Sequence, residues 1–138
     1  MPDPSPQEPP IQSTYPIREV VGIADEPSAV QAVVTALTQR GIPNGSIEVI
    51  CGARARRELD AYRAEHGLKS RLIRIAQALS DERSLAERYE QALRDDAFLV
   101  LAPAADSAES ERVGEAMQRS GAHFVNYYGS STITALAP

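Results

Sequence analysis

The stretch Ala122 to Tyr128 (AHFVNYY) carries the densest set of groups able to do chemistry: an imidazole at His123, an amide at Asn126, and phenols at Tyr127 and Tyr128. Imidazole is the acid–base group of neutral pH, and a phenol or amide beside it can orient a substrate. Cys51 is a second candidate. It ends an apolar run and is followed by Gly52, Arg54, Arg56 and Arg57, and a thiol at a helix start among guanidinium groups becomes a redox-sensing or nucleophilic thiolate. The plainer expectation for a lone cysteine on an apolar strand is a small buried hydrophobe. No histidine stands close by in sequence to complete a Cys–His pair. Arg54, Arg57 and Arg71 form a third set, suited to an anion or an acidic partner. Their ordinary role is a solvated helix face with i,i+4 ion pairs.

Other chemistries are missing from the sequence. There is no phosphate loop: Gly41 and Gly45 lack the lysine and the helix that must follow. There is no nucleophile elbow, HExxH or CxxC. Two histidines 57 positions apart do not suggest a metal site, and no cofactor is expected. A single cysteine excludes an internal disulfide framework. The formal charge of −5 argues against a general nucleic-acid binder, whose affinity rests on a basic footprint. The charge is uneven, however. Ten basic and seven acidic residues fall between Gly52 and Arg94, a local excess of +3, while the other positions together carry −8. Such asymmetry can mark an interaction face.

The elements that must position these groups follow from periodicity and punctuation. The 138 residues, 43% hydrophobic and 24% charged, suit one globular domain. Residues 1–16 hold six of the ten prolines and read as a flexible arm with polyproline II character, without the basic start and apolar core of a secretory signal. Ile17 to Ala24 is a strand. Asp25-Glu26-Pro27 then starts a helix with a capping carboxylate, and Val30, Val33, Val34 and Leu37 form its apolar stripe. Gly41 ends that helix, and Ser46 to Cys51 is a second strand. A helical stretch of about residues 52–95 comes next. Its three helices have stripes of Ala55, Leu59 and Tyr62; of Leu72, Ile75, Ala76 and Leu79; and of Leu85, Tyr89, Ala92 and Leu93. Ala97 to Ala102 is a buried strand, Asp106 caps a helix running to Ser120, and Ala122 to Tyr128 is the last strand. Ser130 to Leu136 reads as a short tail.

Two strand–helix–strand units separated by helices predict an α+β domain over residues 17–138. Its expected form is a ferredoxin-like split βαβ sandwich: a four-stranded sheet with a three-helix insertion between strands 2 and 3. The first and third strands are central, and the helices cover one face. On the last strand, period two puts His123, Val125 and Tyr127 on one face and Phe124, Asn126 and Tyr128 on the other. The uncovered face is then either a dimer seam, where tyrosine is enriched, or the floor of a small-ligand site.

The motifs Val21-Gly22-Ile23 leading into Asp25-Glu26-Pro27, Arg88-Tyr89 with Glu90 to Leu93, and His123 to Gly129 with Thr132-Ile133 resemble a bacterial family of heat-induced or general stress proteins. The resemblance covers roughly residues 19–136 and omits the arm. It implies a cytoplasmic α+β protein linked to stress, with no defined activity and no catalytic residue to carry over. The function expected is therefore non-catalytic: self-association, as a homodimer, or binding of a partner or small ligand, without nucleic acid or membrane. The alternative is a small dimeric α+β-barrel-type enzyme with a pocket between sheet and insertion. In that case His123 is the acid–base group, and Tyr127 or Tyr128 orients the substrate.

Overall fold

Alternation with period two divides the core into two clusters. In strand β4 (Phe98–Pro103), Phe98, Val100 and Ala102 bury on one side and Leu99 and Leu101 on the other. In β1 (Glu19–Ala24), Val20 and Ala24 join the first set, and Val21 and Ile23 the second. In β2 (Glu48–Cys51) the split is Val49 and Cys51 against Ile50. A sheet hydrophobic on both faces must be covered on both. This computed structural model describes residues 17–66, 72–75, 84–130 and 132–138. The proline-rich arm and Arg71 lie outside the described residues.

The remaining elements are helix α1 (Pro27–Gln39), α2 (Ala53–His66), β3 (Leu72–Ile75), α3 (Ser84–Arg94), α4 (Ser107–Arg119), β5 (His123–Tyr128) and β6 (Ile133–Ala137). Among the described residues the strands form one sheet in the order β3-β2-β4-β1-β5-β6. Five of them, β2-β4-β1-β5-β6, pair antiparallel, and β3 adds to the β2 edge in parallel. β1 and β4 are central, as expected.

Three features differ from the sequence expectation. The sheet has six strands, not four. Among the described residues the insertion is helix–strand–helix: Leu72–Ile75, expected as part of a helical stripe, is β3, and Ala76 and Leu79 of that stripe lie outside the described residues. Four residues with apolar side chains at positions 1, 2 and 4 fit either period, and the two β-branched isoleucines tip them towards a strand. The parallel pairing is possible because α2 supplies the crossover that parallel strands require. The expected C-terminal tail is strand β6, a hairpin partner of β5 closed by Gly129, whose N–H donates to the Thr132 carbonyl at 2.8 Å. Thr132-Ile133-Thr134 places three β-branched residues in a row after that turn.

The helices follow their stripes. Val30, Val33, Val34 and Leu37 are the buried residues of α1. Asp106 caps α4 by accepting from the Glu109 N–H at 2.9 Å, and Glu109 reaches back to the Ala105 N–H. Gly114 lets β6 approach α4, since a Cβ there would stand 2.7 Å from Leu136 Cδ1. A correction concerns α3. It does not share the face of the other helices; its Tyr89 belongs to the cluster of Val21, Ile23, Ile50, Leu99, Leu101 and Tyr128. The face expected to be open is a buried one.

Candidate functional site

The chemistry-bearing residues of β5 are separated by the sheet itself. Tyr127 lies on the side of α1 and α4, buried, and its hydroxyl donates to the Ala104 carbonyl at 2.9 Å. Asn126 and Tyr128 are buried on the α3 side. There Tyr89 descends from α3, 1% exposed, into the backbone of β1 and β5. Its hydroxyl carries one proton, which is shared between the carbonyls of Val21 and Phe124, both at 3.3 Å. It accepts in turn from Asn126 Nδ2 at 3.0 Å. Burial pushes the Tyr89 phenol well above its ordinary range, with the Asn126 bond opposing.

A bulge makes this junction. β5 carries one more residue than β1 between Asn126 and His123, and Phe124 takes a left-handed φ of 49°. That conformation is uncommon outside glycine and asparagine. Phe124 meets Tyr89 edge-to-face, centroids 5.3 Å apart, and the Arg88 guanidinium lies 4.3 Å over its ring. Helix α3 is thus fastened to the bulge through an aromatic contact, a cation–π contact and a shared hydroxyl.

His123, at the start of β5, is brought to Asp25 at the end of β1, its Nε2 3.1 Å from both carboxylate oxygens. The capping carboxylate that Asp25-Glu26-Pro27 predicts is not formed: Glu26 occupies the cap position with no side-chain bond, and Asp25 serves the imidazole. The pair is partly exposed, 39% at the histidine side chain. A carboxylate fixing an imidazole is a recognised acid–base element, and it is equally a surface pair joining two strand ends.

The other candidates lie apart from β5 in the chain. Cys51 is fully buried in the α1-side cluster. Burial pushes its thiol from 9.0 up to about 11, with Arg56 pulling down and Asp60 pushing up. The neutral thiol is the form the fold favours, so its contribution to stability is intact below pH 9 and is lost as pH rises from 9 towards 11. We expect native Cys51 to resist alkylation at pH values below 9 and to react stoichiometrically in concentrated urea. Labelling of the native protein at the rate of a free thiol would show the opposite. Cys51→Ala should flatten the alkaline decline in stability over that interval, measured by urea titration at stepped pH. Arg54 is exposed on α2 and pairs with Asp96 at 3.5 Å; Arg57 is exposed on the same helix. Arg71 lies outside the described residues.

Sequence reasoning gave Tyr89 no function beyond its stripe, and it missed Asp25 as the partner of His123. The second is understandable: 98 positions separate the two, and the Asp-Glu-Pro signal is equally good for a cap. Among the described residues no group of three or more His, Cys, Asp or Glu is placed to hold a metal ion. No described helix is long and apolar enough to cross a membrane. No family model, curated protein or solved structure matches this chain.

Proposed function

We propose that this chain is a non-catalytic, cytoplasmic protein of the heat-induced or general stress type that acts by self-association or by binding a partner or small ligand. Its four strands β2-β4-β1-β5 form the core of a ferredoxin-like sandwich. In this reading β3 and β6 are additions at the two edges, and α3 covers the second face. The observation that supports the non-catalytic reading is how Asn126 and Tyr127 of β5 and Tyr89 of α3 are used. The Tyr127 hydroxyl is committed to Ala104, the Asn126 amide to Tyr89, and the Tyr89 hydroxyl to two main-chain carbonyls. Groups bound to the backbone inside the core hold the fold and do not turn towards a substrate.

The enzyme alternative keeps one observation in its favour, the Asp25–His123 pair. A thermal-shift screen against nucleotides, metabolites and metals separates the two readings. The expected result is no ligand-dependent rise that is lost with His123→Ala. A hit at 100 times its dissociation constant would add about 2.7 kcal/mol, a shift of several degrees. A hit of that size abolished by His123→Ala, followed by turnover, would transfer the assignment to the enzyme.

A further inference from the structure

The chain from Ser120 to Pro138 contains no Lys, Arg, Asp or Glu, although such residues make up 24% of the whole. This neutral segment forms β5 and then β6, the last strand of the sheet among the described residues. Natural edge strands are commonly guarded against further pairing by charge, by proline, by a bulge or by a covering element. In β6, Ile133, Thr134 and Ala135 are all exposed, so neither face of that half of the strand is covered. Its extra residue relative to β5 comes only after Ala135. Among the described residues, the half of the edge from Ile133 to Ala135 therefore carries no charge, proline, bulge or covering element. It also bears one of the two large exposed hydrophobics of the described residues, Ile133 at 46%, at the end of the sheet where Ile17 is the other.

We propose that this edge pairs with the same edge of a second copy, antiparallel, joining two six-stranded sheets into one. The proposal rests on the self-association arm of the function above and gives it a surface. Charge selects a second copy as the occupant. The molecule carries −5 overall, so two copies repel over most of their surfaces, and this neutral edge is where they can approach without setting like charges opposite each other. The pairing is self-complementary. With Thr134 on the two-fold axis, threonine meets threonine, and Ile133 meets Ala135 of the second copy, as an isologous contact requires. Strand addition also supplies partners for outward N–H and C=O groups. A contact this short falls below about 1,200 Å², so the dimer should be weak and concentration-dependent.

The test is light scattering on the full chain from about 10 to 300 μM, a range suited to such small interfaces. The mass should rise from 14.9 kDa towards twice that value. Thr134→Lys and Thr134→Glu each place like charges across the axis and should hold the mass at that of one chain. A one-to-one mixture of the two should restore the dimer. Far-UV circular dichroism checks that both variants remain folded, and if either does not, Ala135→Lys with Ala135→Glu gives the same reading one residue along. A wild-type dimer that both charged variants preserve would overturn this edge while leaving self-association standing. A chain that stays at one-copy mass throughout would overturn both.

Discussion

Replacing Tyr89 by alanine should lower stability by about 3–5 kcal/mol, the cost of deleting a large buried aromatic. Urea titration would show this as a fall in midpoint at unchanged slope. The loss has two sources. The ring packs against Phe124 and the β1–β4 apolar residues of its cluster, and the hydroxyl closes a polar knot of Val21, Phe124 and Asn126. Tyr89→Phe separates the two. It keeps the ring and removes the hydroxyl, leaving Asn126 Nδ2 with only the Phe124 carbonyl at 3.4 Å. A cost of about 1–2 kcal/mol is expected for that loss. If the alanine variant lost less than about 1 kcal/mol, α3 would be a loosely held appendage and not a second layer of the core.

Phe98→Ala is the matching experiment on the other face, and the expected loss is again about 3–5 kcal/mol. Phe98 is fully buried at the start of β4, in register with Ala24 of β1, within the cluster that α1, α2 and α4 share. Among the described residues, three helices cover that side and one covers the Tyr89 side. Similar losses at the two positions would mean that the single helix is as fully integrated as the three. A much smaller loss at Tyr89 would instead place most of the stability on the α1 side. The sites lie on opposite faces in separate clusters, so the double variant should lose close to the sum, unless the sheet between them transmits strain.

The parts of the fold that were legible in the sequence are those where one period dominated. The stripe Val30-Val33-Val34-Leu37 fits a helix, and the short continuous apolar run Ala97 to Ala102 fits a buried strand. Asp106 showed its cap directly. Leu72 to Ile75 was not legible, because four residues cannot display a period and what decides them is the open β2 edge beside them. Strand β6 was missed for a related reason. Ile133 to Ala137 has little burial of its own and exists because β5 offers a hairpin partner. The face assignment on β5 was correct for Phe124, Asn126 and Tyr128 against Val125 and Tyr127. The use of those faces was not foreseen, since which helix covers a sheet is settled by connections and not by local pattern. The candidate site fared similarly. The burial of Cys51 followed from its apolar run, whereas the Asp25–His123 and Tyr89–Asn126 contacts depend on residues brought together from distant parts of the chain.

The strand order also constrains how the chain can assemble. Strands β1 and β2 are both complete by residue 51, yet they never touch, because β4 lies between them. Until residues 98–103 have been made, β1 has neither of its neighbours, and β2 can pair only with β3. A nascent chain leaving the ribosome must therefore carry an unpaired, apolar β1 through the synthesis of more than half its length. Such dependence on distant pairings makes for slow folding and a long exposure to aggregation. A chain cut before β4 should not form this sheet at all, and helpers that shield an unpaired strand should raise the yield of the native protein more than its modest size suggests.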